Sequence, residues 1–254
     1  MKILAVANQK GGVGKSTLAV HLAWLALEQG RPVLLVDLDG QANASRTFAR
    51  EFTGLAASAL FTTDPSALSA APQALSDTFS LISADLGIND VEGLRLDSIR
   101  RPAAHLATLA ASMDPDTLCV IDTPPTLGRR LLAALIAADA VVSPLGLNGY
   151  SMQGIMDLQG TINTVRRKFN PRLKNLGLLP NMVNSRSATH TRMLRDMRAA
   201  LGHNLLPFVI NARVAISDSI DKGKPVWQGR TGESTRLAGQ EMRSVCTEVL
   251  ARMQ

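Results

Sequence analysis

The sequence predicts an α/β fold, in which a doubly wound and mostly parallel sheet carries helices on both faces. Short apolar segments suited to buried strands alternate with amphipathic helical segments along the chain. A glycine-rich segment, residues 10–17, stands between the first predicted strand and the first predicted helix. This order places the segment at a helix N-terminus, where free N–H groups and the helix dipole favour bound phosphate.

Each element is predicted from a local pattern of apolar residues. Residues 3–7 are an apolar run typical of a buried parallel strand, and Leu18, Leu22 and Leu25 then recur at helical spacing. Residues 46–78 are rich in Ala, Ser and Thr and predict short helices and loops. The other predicted strands are residues 31–36, 79–83, 118–122, 140–143, 176–183 and 205–210. The other predicted helices are residues 98–112, 127–138, 151–169, 188–201 and 233–253.

The composition predicts one domain, residues 1–254, because 254 residues with 46% hydrophobic content can bury a single sizeable core. No run reaches the roughly 18 apolar residues of a membrane span. A signal peptide would overlap the glycine-rich loop, so we expect a cytoplasmic protein. Cys119 and Cys246 lie in apolar segments, which indicates buried small side chains and no disulfide or metal framework.

Charge is distributed unevenly along the chain. Residues 1–150 carry 11 Lys/Arg against 14 Asp/Glu, a net charge of −3, whereas residues 151–254 carry 16 against 7, a net charge of +9. This asymmetry favours a polyanionic partner for the second half, with nucleic acid as the first candidate. The alternative is a solvated basic surface that serves solubility.

The glycine-rich loop has the residue types that phosphate binding requires. It reads Lys10-Gly11-Gly12-Val13-Gly14-Lys15-Ser16-Thr17. Its backbone N–H groups can surround a phosphate chain, and Lys15 is expected to neutralise the β- and γ-phosphates. Ser16 is expected to ligate Mg²⁺, and Thr17 to donate a hydrogen bond to the α-phosphate.

Three aspartates follow predicted strands whose carboxyl ends should meet at the same edge of the sheet. Asp122 ends the strand 118–122 and is expected to hold Mg²⁺ through water, since Mg²⁺ loses its water reluctantly. Its alternative role is to cap the next loop. Asp39 is the best candidate to orient the water that attacks the phosphate. For Asp37, a role as a structural cap is as well supported as a role in the site.

The loop departs from the ordinary phosphate-loop pattern in a specific way. Gln9 stands where a glycine is usual, and Lys10 adds a second cation at the mouth of the loop. In this it resembles the deviant Walker A loop of the ParA/MinD superfamily of ATPases. The resemblance continues to the C-terminal segments 206–207, 217–219 and 223–226. It implies a P-loop NTPase fold and, since the chain starts at the loop, a small ParA-type form without an N-terminal helix-turn-helix domain.

The resemblance also implies roles for residues around the nucleotide. The segment 36–43 matches the first switch of the family, whose second aspartate, here Asp39, is needed for hydrolysis. Gly40 and Ala42 stand where the family has proline and glycine. The extra lysine, Lys10, is expected to cross to the partner's nucleotide in an ATP-bound homodimer.

ATP is predicted in preference to GTP because no Asn-Lys-x-Asp signature is present. Asn181 and Pro207 match family positions near the adenine, although an asparagine at a strand end is often a turn residue. ATP and Mg²⁺ are therefore the expected cofactors.

The family's DNA-contacting arginines lie in the C-terminal block and the helix before it. Arg213 falls at such a position, and Arg192, Arg195 and Arg198 share one helical face by their spacing. The alternative is that these arginines pair with residues such as Asp196 or are simply solvated.

The resemblance, together with the charge asymmetry, implies a partition ATPase that dimerises on ATP and binds DNA without sequence preference on the nucleoid. A ParB-like partner would stimulate hydrolysis and release it. A MinD-like membrane regulator, or an ATPase that positions a protein cargo, is the alternative, but residues 244–254 lack the basic and bulky apolar character of a membrane anchor. A reductase of the nitrogenase iron-protein kind is disfavoured because Cys119 lies inside a predicted strand. The cargo, whether plasmid, chromosome or protein assembly, is not specified by the sequence.

Overall fold

A seven-stranded sheet lies at the centre of the computed structural model, which describes residues 1–67, 69–147, 152–229 and 232–254. The strands are β1 (Lys2–Val6), β2 (Val33–Asp37), β3 (Gln73–Ser76), β4 (Phe79–Ile82), β5 (Leu118–Asp122), β6 (Ala140–Gly146) and β7 (Lys174–Asn181). Their order across the sheet is β3-β4-β2-β5-β1-β6-β7, and all neighbouring pairs are parallel except β3 with β4. The predicted fold class is confirmed.

Helices cover both faces of this sheet. They are α1 (Lys15–Glu28), α2 (Asn43–Phe48), α3 (Ala59–Thr62), α4 (Arg101–Ser112), α5 (Arg129–Ala137), α6 (Met152–Lys168), α7 (Ala188–Leu201), α8 (Val214–Asp221) and α9 (Glu233–Arg252). Alternate side chains of a strand point to opposite faces, so Leu4 of β1 packs in the layer of α1 and α9, and Ala5 packs in the layer of α4, α5 and α6. None of the described helices is long and apolar enough to cross a membrane.

The prediction of a strand over residues 205–210 was wrong. This segment runs beside β7, where the Leu206 N–H donates to the Leu178 carbonyl and the Ile210 N–H donates to the Pro180 carbonyl. These two donors are four residues apart whereas their acceptors are only two apart, so residues 206–210 bulge away from β7 and form no regular ladder. The segment is therefore an irregular edge with isolated bridges.

Other element boundaries moved for local reasons. The predicted helix 98–112 begins with a 3₁₀ turn at Leu96–Arg100, and α4 starts at Arg101 with Pro102 in its first turn, a position that proline favours. The strand predicted over 140–143 continues to Gly146 as β6. Helix α8 and the antiparallel edge strand β3 were not predicted. Ser151, the predicted first residue of the helix 151–169, lies outside the described residues.

Helix α1 is joined to the C-terminal segment by His21, which is fully buried. Its Nδ1 lies 2.7 Å from the Thr17 carbonyl, and its Nε2 lies 3.2 Å from the Val226 N–H. Burial lowers the pKa of His21 to about 4, so the ring is neutral, with Nδ1 donating and Nε2 accepting. The helix that begins at the glycine-rich loop is thereby fixed to the segment before α9.

Candidate active site

Three loops meet at one edge of the sheet because the strands that precede them are neighbours. In the register of β1, β2 and β5, Asp122 is paired with both Val6 and Asp37. A cavity of about 710 Å³ opens beyond these carboxyl ends, where open α/β sheets bind their ligands. The predicted site residues that line it are Gly11, Gly12, Gly14, Lys15, Ser16, Thr17 and Asp39.

The conformation of the loop depends on two glycines. Gly12 and Gly14 have φ angles of 68° and 84°, in the left-handed region that favours glycine. A Cβ on Gly14 would also collide with the side-chain amide of Asn181. Gly14 is the N-cap of α1, so the free N–H groups of the first helical turn face the cavity side of the loop.

Lys15 is a cation held in a desolvated position, with a residue exposure of 6%. Its Nζ donates to the Lys10 carbonyl over 3.0 Å. Burial lowers the pKa of Lys15, and the carboxylates of Asp122 and Asp39 oppose that shift. A buried ammonium beside a phosphate-sized cavity is the arrangement that an anionic ligand would complete.

Asp122 is fully buried, and no hydrogen bond to either of its carboxylate oxygens is found within the described residues. Burial, followed by the charge of Asp37, raises the pKa of Asp122 well above its usual value, and the nearby Ser16 hydroxyl and Lys15 ammonium oppose this. A buried carboxylate without a partner beside a serine hydroxyl fits a divalent cation. Among the described residues no group of three or more His, Cys, Asp or Glu could hold a metal, so phosphate oxygens and water would complete the shell, as Mg²⁺ prefers.

Asp37 acts as a structural cap in this arrangement. One of its oxygens accepts from both the N–H and the hydroxyl of Ser45, each over 2.8 Å, and the other accepts from the Asp39 N–H over 3.0 Å. Burial raises the pKa of Asp37 to about 6 against the effect of these hydrogen bonds. Both of its oxygens are therefore used to shape the segment that carries Asp39.

Asp39 points its carboxylate toward the cavity from the end of that segment. Its Oδ1 accepts from the Gln41 N–H over 3.0 Å, and the residue is 9% exposed. Asp39 lines the cavity, whereas Asp122 is fully buried and is not among the lining residues.

The two unusual residues of the switch segment have structural consequences. Ala42, where the family has glycine, has a φ of 54°, which is the left-handed conformation that glycine would adopt without strain. Gly40 packs so closely against the Asn89 side chain that a Cβ at position 40 would overlap it. The packing of Asn89 thus explains glycine at position 40, whereas nothing in the structure explains alanine at position 42.

Lys10 is half-buried at the mouth of the loop and does not line the cavity that Lys15 and Ser16 line. Its N–H donates to Asn8 Oδ1 over 2.9 Å. Gln9, at the position where a glycine is usual, donates from its amide to the Gly154 carbonyl of α6 over 2.6 Å. The first part of the loop is therefore fixed by its surroundings.

The two residues predicted near the adenine do not meet at the cavity. Asn181 donates to the Val13 carbonyl over 2.8 Å and accepts from the Met182 N–H over 2.9 Å, so its amide supports the phosphate loop. Pro207 is exposed, and neither it nor Asn181 is among the lining residues. Residues without a predicted role, Arg46, Met182, Ser217, Ile220 and Asp221, line the cavity instead. No spacing relative to the loop indicates them, since they come from α2, α8 and the end of β7.

The predicted DNA-contacting arginines have different environments. Arg192, Arg195 and Arg198 are exposed on α7, with Arg195 3.3 Å from Asp196 in a solvated pair. The Arg213 side chain is 20% exposed and forms an ion pair with Glu241 over 2.9 Å. The alternative of paired arginines therefore applies most directly to Arg213.

Comparison with known sequences adds to this geometry. A family model described as an AAA domain matches residues 1–175. The chain is 39% identical to protein IncC of Escherichia coli, over all of this chain and 70% of IncC. It is 32% identical to the chromosome partitioning protein ParA of Caulobacter vibrioides, over 89% of this chain and 86% of that one. It is 33% identical to the chromosome-partitioning ATPase Soj of Thermus thermophilus, over 99% of this chain and 96% of that one.

Solved structures show the same architecture. A cobyrinic acid a,c-diamide synthase from Mycobacterium smegmatis, with bound ATP analog and magnesium, superposes with a TM-score of 0.78 at 27% identity, covering 98% of this chain and 94% of that one. A putative plasmid partition protein from Borrelia burgdorferi bound to AMPPNP has a TM-score of 0.75 at 22% identity, covering 100% and 99%. The second similarity is evidence for the fold.

Proposed function

The chain belongs to the ParA-type family of partition ATPases, and from this we propose that it is a DNA-segregation ATPase that dimerises on ATP, binds DNA without sequence preference and is released when a ParB-like partner stimulates hydrolysis. The observation that carries this proposal is that Lys15, Ser16 and Asp39 line one cavity, with the buried Asp122 close to Lys15 and Ser16. We also propose that residues 1–254 act as one ATPase domain, since α9 completes the core beside α1. Its place in the cell would be the nucleoid.

ATP hydrolysis requires positioning and charge neutralisation more than covalent chemistry. Lys15 would bind the β- and γ-phosphates, and the N–H groups that follow Gly14 would surround the phosphate chain. Ser16 and Asp122 would hold Mg²⁺, which when bound neutralises charge on the outer phosphates. Asp39 would orient the attacking water, and the hydrogen bond from its N–H to Asp37 supports this proposal because it holds the backbone of Asp39.

Lys10 is the residue that would make dimerisation depend on bound ATP. It stands at the mouth of the loop but does not line its own cavity, and Lys15 already provides the cation there. In a symmetric dimer each lysine would reach the phosphates of the partner, so the interface would gain two charge-assisted hydrogen bonds.

Lys10→Ala is therefore expected to retain ATP affinity within about threefold but to weaken the ATP-bound dimer by roughly 100-fold or more, at about 1.5–3 kcal/mol for each of two contacts. Sedimentation velocity with a non-hydrolysable ATP analogue measures the dimer, and calorimetry measures the nucleotide. Lys2→Ala, an exposed lysine at the amino end of β1, is the control. A fully dimeric Lys10→Ala variant would show that the lysine has no role across the interface.

DNA binding is proposed for the basic second half of the chain. The exposed arginines of α7 are free of buried ion pairs in the described structure, and α7 is oriented by its buried residues His190 and Met197. Such arginines can neutralise backbone phosphates without reading bases. Dimerisation would bring two such faces to one duplex and raise avidity without new contacts.

Gel shifts over a salt series test this proposal. The ATP-bound protein is expected to bind unrelated duplexes with similar affinity. Arg192→Ala or Arg195→Ala is expected to flatten the salt dependence by about one unit for each phosphate that the variant no longer neutralises. The matched control is Arg95→Ala, whose side chain is 92% exposed in the acidic half of the chain. A DNA affinity that does not change with salt concentration, or a strong preference for one DNA sequence, would contradict the proposal.

Arg213 needs a separate variant because Glu241 already occupies its guanidinium. If Arg213 contacts DNA, its carboxylate partner competes with phosphate, so Glu241→Gln should strengthen DNA binding. The same change in an Arg213→Ala background should then have no effect.

A further inference from the structure

A buried arginine outside the phosphate loop contacts the segment that carries Asp39. Arg130, in the first turn of α5, is only 6% exposed. Helix α5 begins just after the loop that follows Asp122. Its Nη1 donates to the Leu38 carbonyl over 3.1 Å and to Asn89 Oδ1 over 3.2 Å. A charged side chain is rarely buried without a partner, so the groups that Arg130 contacts indicate its structural role.

Glu92 is the ionic partner of Arg130. Arg130 Nε donates to Glu92 Oε1 over 2.9 Å, and the Arg129 N–H donates to Glu92 Oε2 over 2.7 Å. Burial raises the pKa of Glu92, but the hydrogen bonds from Arg130 and from the Arg129 N–H outweigh it and hold the pKa below its usual range. The Arg129 guanidinium also donates to the Glu92 carbonyl. A Cβ on Gly128 would come so close to the Glu92 carboxylate that this side chain would have to move.

Asn89 contacts the other side of the switch segment. It comes from the same 3₁₀ helix as Glu92, Leu86–Gly93, and its side chain lies so close to Gly40 that a Cβ there would require the Asn89 amide to move. The residues on either side of Asp39 are therefore held from two directions, Leu38 by the guanidinium and Gly40 by the amide. We call Arg130, Glu92 and Asn89 the switch clamp.

We propose that Arg130 is a positioning residue that fixes the direction of the Asp39 carboxylate through the switch clamp. This rests on the proposed role of Asp39 in orienting the attacking water. Arg130 connects the start of α5, after the Asp122 loop, to the segment that carries Asp39. The two sides of the cavity would therefore move together. Displacement of a catalytic group by about 1 Å can cost on the order of 100-fold in rate, so the clamp would act on turnover more than on ATP affinity.

Arg130→Lys tests the clamp while keeping a positive charge beside Glu92. An ammonium lacks the planar fork that reaches Glu92, Leu38 and Asn89 together. We expect kcat to fall about 10-fold or more, with affinity for a non-hydrolysable ATP analogue within about threefold. The matched control is Arg101→Lys, because Arg101 also donates to two carbonyls, those of Phe61 and Thr62, but from α4. Unchanged kcat in a folded Arg130→Lys variant overturns the inference.

A second pair of variants tests the same contact without touching the buried charge. Gly40→Ala should slow turnover because the new methyl group collides with Asn89, and Asn89→Ala in addition should restore it to the level of Asn89→Ala alone. A purely local effect of alanine at position 40 would not be rescued, and that result would also overturn the inference.

The double variant Asp39→Ala/Arg130→Lys separates the inference from the proposal on which it rests. If the clamp acts through Asp39, the double variant should be no slower than Asp39→Ala. Rapid turnover in Asp39→Ala alone would refute the proposed role of Asp39. Slow turnover in Asp39→Ala with normal turnover in Arg130→Lys would refute only the clamp.

Discussion

Lys15→Ala is expected to lower ATP affinity by roughly 100-fold or more, because it removes the buried cation that lines the phosphate end of the cavity. Charge-assisted hydrogen bonds contribute about 1.5–3 kcal/mol each, and an ammonium between two phosphates makes at least two. At about 1.4 kcal/mol for each factor of ten, their loss reaches this range. Calorimetry with ATP and Mg²⁺ measures the change.

The control for Lys15→Ala must show that the protein is still folded, since the variant leaves Asp122 without a neighbouring cation. Thermal unfolding provides this check, and Lys2→Ala at the opposite end of β1 provides a matched loss of charge. If the variant bound ATP as tightly as the parent protein does, Lys15 would not be a phosphate-binding residue.

Asp39→Ala is expected to retain ATP binding and the ATP-bound dimer while turnover falls by roughly 100-fold, within the range for a lost acid–base or water-orienting group. The carboxylate lines the cavity and uses Oδ1 for the Gln41 N–H, so its removal affects the water without removing a phosphate ligand. Phosphate release measures turnover, and sedimentation with ATP measures the dimer.

Asp64→Ala is the matched control for this change. Asp64 also accepts an N–H from the residue two positions later, Ser66, over 2.9 Å, but it is an exposed turn residue remote from the cavity lining. Both variants lose a hydrogen bond from the N–H two residues later to the aspartate side chain, but only Asp39 lines the cavity. Equal turnover in the two variants would reassign Asp39 to a structural role.

The fold class and the phosphate loop were predictable because both depend on local patterns. Glycines at fixed offsets, a lysine and a hydroxyl in the same loop, and an apolar strand before them predict a phosphate loop, although Asn181 and Gly154 also hold it in place from distant segments. The sequence predicted that the carboxyl ends of these strands meet at one edge, but the order that makes β1, β2 and β5 neighbours came from the structure. The prediction for residues 205–210 failed because four residues of this segment span only two residues of β7, a mismatch that the apolar pattern does not show.

The separate roles of the three aspartates required the tertiary structure. Asp37 and Asp39 are two residues apart and chemically identical, yet Ser45 and the Asp39 N–H occupy Asp37, while Asp39 faces the cavity. Asp122 differs again because burial leaves its carboxylate without a hydrogen-bond partner among the described residues.

By itself, the sequence determined that this chain is a P-loop ATPase of the ParA type, because the motifs that identify the family, such as residues 10–17 and 36–43, are short continuous segments. Only the tertiary structure decided which distant residues support the site. Arg130 is 91 positions from Asp39 and resembles any helix arginine until its guanidinium is placed against the Leu38 carbonyl. Likewise Arg213 is a candidate for DNA until Glu241 is found beside it. Contacts between distant segments depend on packing and desolvation, which a local pattern does not encode.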